Sequence, residues 1–229
     1  TRREFVSNVS HELRTPLASI KAIVESLESG AIQDEKYASD FLHRIHSTVD
    51  TMNDLVSDLL ILSKAESNTE NTETDTVDVE KAAQFSLRSL QDKADQKNVS
   101  ISINTKTLTS LVKANETQIE IVFTNLIDNA IKFSEEDGEV WVDIDSRNNM
   151  VVASVRDNGV GINSEDIDRI FERFYKAERS RHNEGTGLGL SIVRHIIESF
   201  GGSIEVKSNL GEGSLFSFEL PKFIETGSS

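Results

Sequence analysis

The chain has 229 residues, with 39 Asp and Glu against 24 Lys and Arg, for a formal net charge of −15. That balance excludes broad nucleic-acid binding and adhesion to anionic lipid, because both need clustered cations. The absence of cysteine excludes disulfides, thiol chemistry and cysteine-held metal sites.

Residues 1–66 are expected to form a helical hairpin. In the first arm Val6, Val9, Leu13, Leu17, Ile20, Val24 and Leu27 recur at steps of three and four, and Gly30 follows as a stop signal. In the second arm Phe41, Ile45, Thr48, Met52, Leu55, Leu59 and Leu62 keep a strict heptad spacing. Leu42, Val49 and Val56 run beside it as a second stripe. Two apolar stripes exceed what one antiparallel partner covers, which predicts a homodimeric four-helix bundle. The alternative is a monomeric hairpin packed on the domain that follows.

The longest aliphatic run, Leu59-Leu60-Ile61-Leu62, is far shorter than the about 20 residues that span a bilayer. No signal-peptide pattern is seen, and the first residue, Thr1, already lies in a helical pattern, so a piece of a longer protein is expected. Residues 67–78 are polar, acidic and nearly free of apolar side chains, which predicts a mobile linker.

From residue 79 to 223 the pattern is mixed. A helix near 79–97 precedes the strand Val99–Ile103, and Asn115 with Gln118 three residues later opens a helix to about 133 in capping-box spacing. Val140/Val142/Ile144 and Val151/Ala153/Val155 alternate as two strands about Asn148-Asn149. A short helix is expected at 164–172 and another at 188–200, ended by Gly201-Gly202. Strands Ser203–Ser208 and Leu215–Leu220 flank Gly211-Glu212-Gly213, and residues 224–229 read as a tail. The fold class is therefore α plus α/β, with the hairpin followed by a two-layer sandwich.

Four groups of residues carry candidate chemistry. Asn125, Asn129 and Lys132 lie at i, i+4 and i+7, so two carboxamides and an ammonium share a helix face suited to hydrated Mg²⁺ and phosphate; an ordinary solvated face is the plainer reading. Asp157-Asn158-Gly159-Val160-Gly161 puts a carboxylate at a strand end beside glycines, fit for a flat base and its amino group, or else a common turn. Gly185-Thr186-Gly187-Leu188-Gly189-Leu190 opens a helix as an anion cradle, yet it is neither a Walker loop nor a dinucleotide fingerprint. Between them Phe171-Glu172-Arg173-Phe174-Tyr175-Lys176 and Glu178-Arg179-Ser180-Arg181 suggest a lid over phosphates, or a packed surface helix.

In this order and spacing the four groups resemble the N, G1, F and G2 boxes of the Bergerat-type ATP-binding fold, shared by sensor histidine kinases, gyrase, heat-shock chaperones and mismatch-repair ATPases. Ser10-His11-Glu12-Leu13-Arg14-Thr15-Pro16 is similar to the H box of the sensor histidine kinases. The departures are mild: Phe133 stands where Tyr is common, and Ser214 where Thr is frequent.

The resemblance implies an ATP-dependent protein-histidine autokinase. His11 is the implied nucleophile, Glu12 its proton acceptor, and Thr15 a residue that helps place water for dephosphorylating a partner. Asp157 would take the adenine amino group, with Gly159 and Gly161 giving the base room. Asn129 would hold Mg²⁺, with Asn125, Lys132 and Arg173 near the phosphates. Phe133, Tyr175 and Lys176 belong to the same site, and Gly185, Thr186, Gly187, Leu188, Gly189 and Leu190 line its phosphate end. Pro16 is expected to kink the helix just after His11. Implied partners are a second copy of the chain and the receiver aspartate of a response regulator, with no nucleic acid and no direct membrane contact. The location implied is the cytoplasmic portion of a membrane-anchored sensor kinase. The competing classes are an ATPase or protein serine kinase of the same fold, and a scaffold that binds nucleotide without turnover. His43, His46 and His195 read as surface or bundle-flank residues, His182 as part of the lid, and Trp141 with the C-terminal phenylalanines as sheet core.

Overall fold

The computed structural model describes residues 2–67, 74–177 and 185–224, with side chains over 5–63, 74–177 and 185–224. Residues 68–73 of the expected linker, Glu178–Arg181, His182 and most of the expected tail lie outside the described residues. The chain divides into two compact units: residues 1–63 with 173–188, and residues 64–172 with 189–229.

The first unit is built on the helical hairpin. Helix α1 spans Arg2–Glu28 and continues through Pro16, and α2 spans Glu35–Ser67. Gly30, at φ 121°, makes the reversal that a side chain would resist. The Asp34 carboxylate then accepts from the Lys36 and Tyr37 amides at 3.1 and 3.4 Å and starts α2.

The two stripes of the second arm part company. The heptad seam Phe41, Ile45, Thr48, Met52, Leu55, Leu59 and Leu62 is half-buried or buried throughout, whereas Leu42, Val49 and Val56 are exposed. In the first arm the covered line runs through Phe5, Val9, Leu13, Pro16, Ile20, Ile23 and Leu27, with Ile23 buried. Val6, Leu17 and Val24, expected on the seam, are exposed beside it. Stepping by three or four from Val9 allows either line, and only packing selects between them.

The second unit is the expected two-layer sandwich. Its elements are β1 Asp75–Asp78, α3 Val79–Gln96, β2 Ser100–Thr105, β3 Leu111–Ala114, α4 Glu116–Phe133, β4 Glu139–Arg147, β5 Met150–Asp157, α5 Gly189–Ser199, β6 Ser203–Asn209 and β7 Gly213–Pro221. The main sheet is mixed, in the order β2-β4-β5-β7-β6, with β2 parallel to β4 and the other pairs antiparallel. Strands β1 and β3 form a separate antiparallel pair. Residues 75–78, part of the expected linker, are therefore structured. Val77 is buried, and Asp78 caps α3 by accepting from the Glu80 amide, while the Ser110 hydroxyl donates to it at 2.6 Å.

The apolar alternation of β4, β5 and β7 buries Val140, Val142, Ile144, Val151, Ala153, Val155, Phe216, Phe218 and Leu220. Against them α4 packs Ile119, Val122, Phe123, Leu126, Ile127, Ala130 and Ile131, and α5 packs Ile192, Val193, Ile196 and Ile197. Phe123 meets Phe218 edge-on at 5.4 Å between ring centroids. Asn115 caps α4 as expected, its side chain accepting from the Gln118 amide at 3.1 Å. The reciprocal half of a capping box is missing, because Gln118 Oε1 is buried without a hydrogen-bond partner.

Three further expectations change. Residues 164–172 form successive turns whose hydrogen bonds mostly close at i−3, such as Arg169 to Asp166 at 2.8 Å, in place of a helix. Trp141 sits outside the core on the opposite face of β4 from Val140 and Val142, with the Arg156 guanidinium 4.1 Å from its ring centroid. His195 is half-buried, with Nε2 sealed and unpaired, and so is no simple surface residue.

Phe123→Ala should cost about 3–5 kcal/mol of sandwich stability, and Asn115→Ala about 1 kcal/mol. Urea unfolding followed by the emission of Trp141, the single tryptophan of the chain, measures both.

Candidate functional site: a buried strand-end carboxylate and an exposed imidazole

In the second unit the site starts from strand alternation. Val151, Ala153 and Val155 face the helices, and two residues on Asp157 points the same way at the strand end. Asp157 is 5% exposed, and its Oδ1 accepts from the amides of Gly159 at 2.9 Å and Ser214 at 3.2 Å. Burial pushes the Asp157 carboxyl above the usual aspartate range, and the two amide bonds oppose that shift without cancelling it. A carboxylate has more lone-pair sites than these two bonds occupy, so Asp157 retains capacity for a further donor.

The turn after Asp157 is sewn to its neighbours. The Val160 amide donates to the Phe133 carbonyl at 3.1 Å, and the Val160 carbonyl accepts from the Gly211 amide at 2.8 Å. The Ile162 amide donates to Ser208 Oγ at 2.8 Å, and Ser208 Oγ donates to the Gly213 carbonyl at 2.7 Å. A side chain at Gly159 would strike the Phe133 carbonyl, and one at Gly161, where φ is +67°, the Asn209 carbonyl. The space into which side chains would project at these positions is thus filled by the protein's own backbone. These glycines bring three chain segments together.

On α4, Asn125, Asn129, Lys132 and Phe133 are half-buried. Asn125 Nδ2 donates to the Ile121 carbonyl at 2.9 Å, and its Oδ1 occupies the space of the missing Gly189 side chain at the start of α5. Lys132 Nζ lies 5.5 Å from the Phe133 ring centroid. Lys97, which no motif singles out, donates from Nζ to the Ile131 and Lys132 carbonyls at 3.0 and 2.7 Å and so caps α4. Burial, with Lys93 nearby, lowers its pKa.

The remaining expected site residues lie in the first unit. His11 is exposed on α1, with Glu12 half-buried and Thr15 exposed. Thr15 Oγ1 donates back to the His11 carbonyl at 3.3 Å, and Pro16 brings no amide hydrogen to the Glu12 carbonyl. The Glu12 carboxylate meets Lys176 Nζ at 3.6 Å. Phe174, a non-glycine residue at φ 64°, donates its amide to the Gly187 carbonyl at 2.9 Å, and its ring lies 5.9 Å from that of Phe5. Arg173 stands over the same Phe5 ring at 5.4 Å. Thr186 Oγ1 donates to Asp58 Oδ2 at 2.5 Å and accepts from the Leu188 amide at 3.2 Å.

The expected nucleotide residues are therefore divided. Asn125, Asn129, Lys132, Phe133, Asp157, Gly159, Gly161, Gly189 and Leu190 belong to the sandwich unit. Arg173, Tyr175, Lys176, Gly185, Thr186, Gly187 and Leu188 belong with the hairpin, as do His11, Glu12 and Thr15. Sequence reasoning missed Asp58 and the Ser214 amide. Ser214 was flagged only as a departure, and nothing near Asp58 marks it.

Known proteins agree with both halves. Residues 1–68 match the His Kinase A (phospho-acceptor) domain, and residues 114–224 the histidine kinase-, DNA gyrase B- and HSP90-like ATPase. The sensor histidine kinase WalK of Bacillus subtilis is 34% identical over 224 residues, which is 96% of this chain and 36% of that protein. The catalytic domain of histidine kinase ThkA, in a nucleotide-free form, is 30% identical with a TM-score of 0.60, over 66% of this chain and 97% of that one. Histidine kinase ThkA in complex with response regulator protein TrrA covers 97% of this chain and 62% of that one, at 25% identity and a TM-score of 0.77. The chain spans only about a third of the length of the Bacillus relative. With a helical hairpin matched over residues 1–68 and a sandwich matched over 114–224 in one chain, this protein belongs to the histidine kinases.

Proposed function

We propose that the chain transfers the γ-phosphoryl group of ATP to His11 and passes it on to an aspartate of a response regulator. The observation that carries this reading is the coexistence of an exposed imidazole on α1 with a buried carboxylate whose two hydrogen bonds come from the Gly159 and Ser214 amides. An adenine amino group supplies the further donor that such a carboxylate can accept, and it favours the ionised form that burial disfavours.

In the transfer step the lone-pair nitrogen of neutral His11 bonds to the γ-phosphorus. The bond from phosphorus to the β,γ-bridging oxygen breaks, ADP leaves with the electron pair, and the other ring nitrogen gives up its proton. Glu12 takes that proton once its carboxylate exchanges Lys176 for the imidazole. Asn125, Lys132, Arg173, Tyr175, Lys176 and the Gly185–Leu190 amides position and neutralise the phosphates, which is most of what phosphoryl transfer asks of a protein. Bound Mg²⁺ would neutralise charge between the phosphates. Asn129 offers it one carboxamide oxygen, which suits an ion that takes its other ligands from phosphate and water. Among the described residues no group of three His, Cys, Asp or Glu side chains could hold a metal unaided.

The exposed stripes Val6/Leu17/Val24 and Leu42/Val49/Val56 would be covered by a second hairpin in a four-helix dimer. Residues 1–66 would serve as the dimerisation and phosphoacceptor domain and 79–223 as the catalytic domain. Thr15 would help place water for hydrolysis of the regulator's acyl phosphate. Among the described residues no helix is long and apolar enough to cross a membrane. The whole protein would place this portion in the cytoplasm, anchored through segments outside it.

Incubation with γ-labelled ATP and Mg²⁺ should give acid-labile, base-stable label on the protein, and none on His11→Gln. Free phosphate alone would point to an ATPase, and no turnover to a scaffold. Val49→Glu should convert a dimer to a monomer in sedimentation. Asp157→Asn should weaken nucleotide binding at least tenfold, measured by calorimetry. Because the Asp157 carboxyl titrates above the usual range, wild-type affinity should fall on acidification before an ordinary aspartate would titrate, beyond any fall in Asp157→Asn. Without nucleotide, this group's contribution to stability is full below the pKa of an unfolded aspartate and is lost as pH rises through the raised one. Asp157→Asn should therefore raise the urea midpoint of the empty protein near pH 7.

A further inference from the structure

Asp58 has no role in the reading above, yet its surroundings do not suit a carboxylate. It sits on α2 three residues after Leu55 and four before Leu62, both buried, so it shares their face of the helix. Burial pushes its carboxyl above the usual range; the Thr186 hydroxyl opposes that shift and Asp54 adds to it. An apolar residue would pack at this position without the desolvation penalty. What Asp58 supplies is an acceptor for Thr186, 128 positions away in the chain.

That bond determines what the glycine loop can offer. With its proton committed to Asp58 at 2.5 Å, Thr186 Oγ1 turns its lone pairs to the Leu188 amide at 3.2 Å. The Leu188 amide directly precedes α5, where an anion would be received. So Asp58 engages a hydroxyl and, through it, an amide that phosphate oxygens would also seek. We propose that Asp58 is a positioning residue that holds the glycine loop on the helical stem through Thr186, in an arrangement that nucleotide phosphates must displace. The displacement rests on the nucleotide-binding reading above, whereas the tether itself does not.

A ligand that binds only the released loop shows an apparent affinity reduced by the fraction of molecules in which the loop is free. Weakening the tether therefore tightens binding, the opposite of what damage to the fold would do.

Two measurements on the whole chain test this. Without nucleotide, amide hydrogen exchange in residues 185–190 should speed up in Asp58→Ala and stay near wild type in Asp58→Asn, which keeps an acceptor for the hydroxyl. With Mg²⁺ and a non-hydrolysable ATP analogue, calorimetry should show Asp58→Ala binding about 10- to 100-fold tighter than wild type, the range that loss of a hydrogen bond to a charged group spans. In a Thr186→Val background Asp58→Ala should add nothing further. Unchanged exchange in Asp58→Ala would overturn the tether. Faster exchange with unchanged or weaker affinity would overturn the competition with phosphate. If no variant bound nucleotide, the kinase reading and the competition would fall together, while the exchange comparison would still decide the tether.

Discussion

A carboxylate buried at the end of β5 is the constraint around which the sandwich is arranged. Asp157 inherits its inward direction from the alternation that buries Val151, Ala153 and Val155, so it cannot turn to solvent without inverting the strand. Among the described residues backbone amides satisfy it, and the two that do so come from its own turn and from β7. The close approaches at Gly159 and Gly161, and the Val160 bonds to Phe133 and Gly211, hold those amides in place. The end of α4, the strand-end turn and the β6–β7 turn are fixed together because one charged group has to be solvated by protein.

Where the determinant was local, the sequence was enough. The Asn115 cap, the α4 period and the Asn148-Asn149 reversal, with φ of 48° and 62°, each depend on residues within a few positions of one another. The β1–β3 pair was invisible for the opposite reason. Asp-Thr-Val-Asp carries one apolar side chain, and its strand exists through pairing with Val112, far along the chain. Trp141 was misplaced because hydrophobicity alone assigns an indole to the core, although the alternation of Val140 and Val142 already put it on the other face. The α1 seam failed at the level of packing, since Phe5–Ile23–Leu27 and Val6–Leu17–Val24 are both admissible helical lines.

The candidate site was legible as a list of residues and illegible as an arrangement. Motif order named the candidates, but the glycine run divides between units, with Leu188 on one side and Gly189 on the other. A pattern read as one cradle is thus shared out between two units. Phe174 at positive φ and bonded to Gly187, with Thr186 bonded to Asp58, holds the part that belongs with the hairpin.

That arrangement bears on how so acidic a chain can receive an anion. A charge of −15 repels nucleotide at long range, but screening confines the effect to roughly 8–10 Å at physiological salt. At contact distance the groups expected to serve are mostly uncharged donors, the carboxamides of Asn125 and Asn129 and amides at the start of α5, together with the one ammonium of Lys132. Amides in a fixed geometry bind anions without adding charge, but each serves one acceptor well at a time. Control over such a site then needs no bulky plug, since engaging a few donors elsewhere lowers its affinity. Within the hairpin unit two carboxylates, Glu12 on Lys176 and Asp58 on Thr186, already engage donors of that kind.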